Sequence, residues 1–136
     1  MNTLKWLGRA RALAFECEQI RADYLRTRDR LENTTPSYSG QSSGTKDPHK
    51  LDAIAAVAAD YQDHSIRLAV AREEIEAACD GLRSNLEARV LKLYYLNYLS
   101  WGGVAREIRR SVRQTMNIRA DALAHITPII EEVFNG

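Results

Sequence analysis

Apolar positions recur along this chain at helical spacing. From Thr3 to Glu32, steps alternating four and three residues select Trp6, Ala10, Leu13, Cys17, Ile20, Tyr24, Thr27 and Leu31. From Pro48 onward, steps alternating three and four select Leu51, Ile54, Ala58, Tyr61, Ser65, Leu68, Arg72, Ile75, Cys79 and Leu82. Both are seams with a mean repeat of about 3.5 residues, the coiled-coil-like spacing. Arg72 and Ser65 interrupt the second seam, and charge gathers on the other faces. The pattern predicts two long helices, 3–32 and 48–81, each ~45 Å long at ~1.5 Å per residue. Between them NTTPSYSGQSSGTKD, residues 33–47, is rich in Ser, Thr and Gly and reads as a loop. A loop of that length lets the helices return as an antiparallel hairpin. Asp47 suits an N-cap, Pro48 the first helical position, and Gly81 the position after a helix end.

The C-terminal third is punctuated differently. Ser84-Asn85-Leu86-Glu87 fits the capping box that opens a helix, here to about Tyr98. Ser100 caps a short helix, Trp101 to Ile108. Ser111-Val112-Arg113-Gln114 fits a second capping box and opens a helix to about Ile126. Thr127-Pro128 is expected to break or kink the chain, with a last short helix beginning at Pro128. The expected fold is all-α: a long two-helix hairpin over 1–82, serving oligomerisation, then a helix-turn-helix region over 83–136.

A short helix, a tight turn and a second helix with a polar N-terminal face make a helix-turn-helix. Ala105 supplies the small residue such packing needs, and Ile108 the apolar residue at the turn. Ile118, Ala122, Leu123 and Ile126 seat the second helix, while Trp101 and Val104 join Leu93 and Leu96 in a mini-core. The whole chain carries a net charge of only +1, yet five arginines against Glu107 leave +4 between residues 100 and 120. Arg109, Arg110 and Arg113 crowd a helix N-terminus, where the dipole disfavours cations. That placement points to a polyanion, and duplex DNA is the expected partner. Arg113, Gln114 and Asn117 are the candidates for base edges in the major groove, because Arg suits guanine and Gln or Asn suits adenine. Arg109 and Arg110 are the candidates for phosphates, and Ser111 starts the reading helix. Gln114 has an equal claim as the capping partner of Ser111.

The stretch LKLYYLNYLSWGGVAREIRRSVRQTMNIRADALAHI resembles the C-terminal helix-turn-helix of RinA-like and ArpU-like phage and prophage late transcriptional regulators, itself similar to region four of bacterial sigma factors. Leu93, Tyr95, Leu96, Ser100-Trp101, Val104-Ala105, Glu107, Ser111, Gln114 and Ala122-Leu123 carry the resemblance. Gln41-Ser42-Ser43-Gly44 followed by Asp47 is similar to a Ser-Ser-Gly element that precedes the second helix in such proteins. The resemblance implies sequence-specific binding at a phage promoter, with RNA polymerase as a further partner. Two features depart from the pattern. Gly102-Gly103 stands where acidic helix formers are usual, at about 1 kcal/mol each. Arg109-Arg110 replaces a glycine and an apolar residue, which removes the turn's left-handed glycine.

Other classes find less in the residues. His49, His64 and His125 do not share a metal or catalytic spacing, no phosphate-binding glycine loop occurs, and the chain is read as a non-enzyme without metal, cofactor or small-molecule substrate. Paired antiparallel, Cys17 faces Ser65 and Cys79 faces the region of Thr3, ~20 Å apart along the axis and too far for a disulfide. No apolar run approaches the ~20 residues of a membrane span, and the start MNTLKWLGRARALAF lacks a signal's apolar core. A cytoplasmic protein is expected. Two alternatives stand beside the regulator. One is a helical scaffold whose long helices bind RNA polymerase or another phage protein. The other is a DNA-packaging protein of the terminase small-subunit kind, in which the DNA-binding part usually comes first. A two-helix hairpin buries little core, so a homo-oligomer, most simply a dimer, is expected in any of the three.

Overall fold

The computed structural model describes residues 2–32 and 48–134. Six helices account for nearly all of them: α1 (Thr3–Leu7), α2 (Arg9–Glu32), α3 (Pro48–Asp80), α4 (Asn85–Tyr95), α5 (Trp101–Ile108) and α6 (Val112–Phe134). No strand occurs among the described residues. The Ser-Ser-Gly element and the Asp47 N-cap lie outside them.

Three expectations about element bounds need correction, the slightest being that the helix opened by Ser84 ends at Tyr95 rather than near Tyr98. The single helix over 3–32 is divided at Gly8, which caps α1 in a right-handed conformation (φ −77°, ψ −2°). A Cβ at Gly8 would come within 3.2 Å of the Leu4 carbonyl oxygen. The weak helix propensity of glycine locates the division, and Asn2 caps the short helix by accepting from the Lys5 N–H at 3.2 Å. At the other end, Pro128 neither ends α6 nor starts a new helix, because α6 runs through it to Phe134. Ile126 and Ile130 are fully buried on either side of Pro128. Their packing outweighs the one backbone hydrogen bond that proline removes. Thr127 donates its hydroxyl to the Leu123 carbonyl at 2.7 Å, so Thr3, 2.8 Å away, donates to Thr127. Gly81 ends α3 as expected, but with φ outside the left-handed region; the absent Cβ leaves room for the Ile129 side chain at 3.4 Å.

The chain forms two compact units, Met1–Ala12 with Leu68–Gly136, and Leu13–Arg67. The first holds the core: Leu7, Ala10, Ala71, Ile75, Cys79, Val90, Leu91, Val104, Ala122, Ile126 and Ile130 are all buried. Burial in apolar surroundings pushes the Cys79 thiol up to about 12, so it stays protonated. Arg9 reaches Glu74 at 2.9 Å and lies over the Trp6 ring at 4.4 Å. Trp6 in turn meets Phe134, ring centres 5.1 Å apart, which ties α1 to the end of α6. In the second unit Cys17 alone is buried among the described residues. There His64 lies 3.3 Å from Glu16, and Arg21, Tyr24, Leu25, Ala58 and Tyr61 line a groove of about 240 Å³. No helix among the described residues is long and apolar enough to cross a membrane.

Candidate nucleic-acid interface

The site begins with the loop that launches α5. Leu96 caps α4, and Tyr98 then takes a positive φ of 61°. A tyrosine in that conformation is strained by about 1–2 kcal/mol, so its neighbours must hold it. Two arginines from the ends of the long helices do so. Arg72 donates to the Leu96 carbonyl at 2.7 Å and to the Tyr98 hydroxyl at 2.8 Å. Arg11 donates to the Tyr94 carbonyl at 2.9 Å and lies 4.4 Å from the centre of the Tyr94 ring. Arg72, which reads in sequence as a fault in an apolar seam, is therefore a brace for a loop twenty-four residues away.

A column of rings and cations continues from there. Tyr94 stacks on Trp101 with centres 4.0 Å apart and planes within 8°. The Arg119 guanidinium lies over the far ring at 5.4 Å. Arg119 is thus occupied inside the fold rather than held out to solvent, and the basic footprint falls to Arg106, Arg109, Arg110 and Arg113. Burial pushes the Tyr95 hydroxyl up, and the neighbouring Arg119 works against that shift.

Helix α5 starts where the sequence places it. Ser100 accepts from the Gly103 N–H at 3.1 Å. A Cβ at Gly103 would sit 3.4 Å from the Ser100 hydroxyl and 3.5 Å from Leu99 Cβ, and one at Gly102 would lie 3.9 Å from the same hydroxyl, all ordinary contact distances, so neither position requires glycine for space. Val104, Ala105 and Ile108 are buried, and Val90, Leu86, Leu93, Leu99, Trp101 and Ile118 pack with them.

The turn into α6 keeps a left-handed residue without a glycine. Arg109 adopts φ 58°, ψ 47°. Its N–H donates to the Arg106 carbonyl at 3.2 Å, and the Arg110 N–H donates to the Ala105 carbonyl at 3.0 Å. This pair of bonds is a Schellman closure, which normally recruits glycine at the position Arg109 holds. Ser111 and Gln114 then close the predicted capping box: the Gln114 N–H reaches the Ser111 hydroxyl and the Ser111 N–H reaches Gln114 Oε1, both at 3.0 Å. Thr115, fully buried, returns its hydroxyl to the Ser111 carbonyl at 2.9 Å.

Arg109, Arg110, Ser111, Arg113, Gln114 and Asn117 are all exposed. Arg109, Arg110 and Arg113 have no ion-pair partner among the described residues. The sole nearby acid, Glu107, approaches Arg89 at 3.9 Å instead. Arg113 and Asn117 stand one helical turn apart on the same face. Gln114 Oε1 is committed to the cap, which leaves its amide Nε2 free for at most single contacts. Sequence reasoning missed Val112, the first residue of α6, which is 51 % exposed beside the arginines. A valine just after an N-cap serine was the available signal. Among the described residues no group of three or more His, Cys, Asp or Glu side chains is arranged to hold a metal.

The chain matches no family model, no curated relative and no solved structure. Its local geometry is therefore the ground on which a function is argued.

Proposed function

We propose that this protein is a DNA-binding transcriptional regulator of phage or prophage type, in which α5, the turn Arg109–Ser111 and α6 act as a helix-turn-helix on duplex DNA. The observation that carries the reading is the turn itself. An arginine occupies a left-handed position that favours glycine, and it joins Arg110 and Arg113 as an exposed, unpaired cation at a helix N-terminus. Backbone conformation and helix dipole both disfavour this arrangement, and a phosphate backbone relieves the part of that cost that comes from charge. Arg113 and Asn117 read base edges in the major groove, Val112 meets a thymine methyl, and Arg109, Arg110 and Ser111 hold phosphates. Gln114 serves the cap first. The phage assignment and RNA polymerase as a second partner rest on the residues shared with late regulators. The long helices pair as an antiparallel hairpin in this reading, supported by the Glu16–His64 contact and by the groove shared by Tyr24, Leu25, Ala58 and Tyr61.

Selection from a random duplex library tests the reading, with an Arg110→Ala/Arg113→Ala variant alongside. The expected result is an enriched motif that the variant loses. Arg113→Ala alone should weaken binding to that site by about 1–3 kcal/mol and relax one position. No enrichment, with equal weak binding by both proteins, would overturn direct readout and leave the scaffold reading. That second reading has its own support in the exposed apolar side chains of Leu13–Arg67.

A further inference from the structure

Two side-chain amides stand on the exposed face of α6, those of Gln114 and Asn117, and the fold prepares them differently. At ~100° per residue, Arg113 and Gln114 flank the line through Asn117 by ~40° and ~60°, so all three project from one side of the helix. Ala120 and Ala124 continue that side as exposed small residues, and neither adds bulk that would hold it off a groove.

Asn117 has no hydrogen-bond partner among the described residues, so its amide oxygen and its NH2 are both available. That is the pair of groups that the N6–H and N7 of adenine require. Gln114 carries the same amide one methylene further out, with half of it already used. Its Oε1 accepts from the Ser111 N–H at 3.0 Å. Chemistry fixes which end is which, since the flipped amide would set its NH2 against that N–H, donor against donor. Ser111 returns the bond, its hydroxyl accepting from the Gln114 N–H at 3.0 Å, so the two residues hold each other in place. What remains of the Gln114 amide is Nε2, a donor with no acceptor beside it.

We infer that Gln114 is a specificity-determining residue that reads a base as a donor only, selecting guanine and rejecting cytosine at one position of the target duplex. The inference rests on the DNA-binding reading of α6 and adds to it the base chemistry at that position. In the major groove guanine presents two acceptors, N7 and O6, and no donor, whereas cytosine presents only its N4–H donor. A donor locked at its acceptor end is satisfied by the first and left facing another donor by the second. It also cannot make the two-bond contact with adenine, which falls to Asn117. A phosphate oxygen is the other acceptor such a group could meet, and it carries no sequence information.

Gln114→Glu separates these cases. Glutamate completes the same capping box, one oxygen taking the Ser111 N–H, and its charge suits a helix N-terminus. The variant should therefore melt no lower than the parent. Its outer oxygen is an acceptor where the parent has a donor. Selection from a random duplex library with the full chain should show guanine enriched and cytosine depleted at one position for the parent. For Gln114→Glu that order should reverse, cytosine over guanine by about three- to tenfold, with the other positions of the motif kept. If the variant binds too weakly for selection, competition between the parent's site and its guanine-to-cytosine form reads the same ratio. Uniform weakening with no position altered would overturn the inference and make Gln114 a phosphate contact. An unchanged motif at unchanged affinity would also overturn it and leave Gln114 a cap alone. In both cases an enriched parent motif leaves the DNA-binding reading standing. A parent that enriches nothing overturns that reading, and this inference with it.

Discussion

The two units of this chain use the same secondary structure to opposite ends. In Met1–Ala12 with Leu68–Gly136, short and long helices cross and bury Leu7, Ile75, Leu91, Ile126 and Ile130 completely. In Leu13–Arg67, among the described residues, only Cys17 is buried, while Leu13, Ile20, Tyr24 and Ile54 are half-buried and Phe15, Leu25 and Ile66 are exposed. One unit is specified by packing. The other is specified by helical periodicity. The polar residues divide in the same way. In the first unit arginines brace loops and rings; in the second they remain on exposed faces. The contrast teaches that helix content is a poor guide to where a chain is held. Helices with equally regular patterns end up with very different burial, because crossing geometry rather than repeat decides how many neighbours a side chain meets.

Four substitutions probe this contrast and its surroundings. Ile126→Ala removes a fully buried side chain and should lower stability to urea by about 2–5 kcal/mol. Ile20→Ala, at a half-buried seam position of the other unit, should lower it by about 1 kcal/mol or less. Equal losses at both positions would erase the contrast. Arg109→Gly should raise stability by about 1 kcal/mol, since glycine accepts the left-handed turn freely. The same change should weaken binding to duplex DNA, which separates the needs of the fold from those of the ligand. A loss of stability instead would make the arginine side chain a structural part of the turn. The smallest effect concerns His125, whose Nδ1 lies 2.8 Å from Glu87 and whose pKa that carboxylate raises above 6.5. A raised folded-state value favours folding while the ring is protonated. This contribution is therefore complete below pH 6.5 and disappears as pH climbs through the raised value. Melting temperatures of the parent and His125→Gln should differ slightly under acidic conditions and converge above neutrality; a constant gap would assign the difference to packing.

Local signals in the sequence proved readable where their partners are local. Ser84, Ser100 and Ser111 cap the helices they precede because each bond spans three residues. Ala105, Ile108, Ala122 and Ile126 are buried at positions the helical spacing assigned to packing, because that spacing is itself a statement about packing. What escaped was set by distant contacts. Pro128 looks like a stop until Ile126 and Ile130 are seen to be buried around it. Arg72 looks misplaced until it meets Leu96 and Tyr98. Arg119 looks like surface charge until Trp101 is placed under it. The left-handed Arg109 was legible only as a missing glycine. Which conformation replaces it depends on the Ala105 and Arg106 carbonyls waiting across the turn.

The two arginine braces bear on how this chain can be taken apart. Arg11 and Arg72 lie far outside the last three helices in sequence, yet they hold the loop from which α5 departs. A fragment cut at residue 83 would carry every exposed arginine of the basic turn but neither of the two arginines that hold the Tyr94, Leu96 and Tyr98 stretch leading to it. The C-terminal third is thus not a transplantable cassette. Grafted onto another scaffold, it would need substitutes for Arg11 and Arg72, and insertions within the long helices should be tolerated only where they leave both arginines in register with Tyr94 and Leu96.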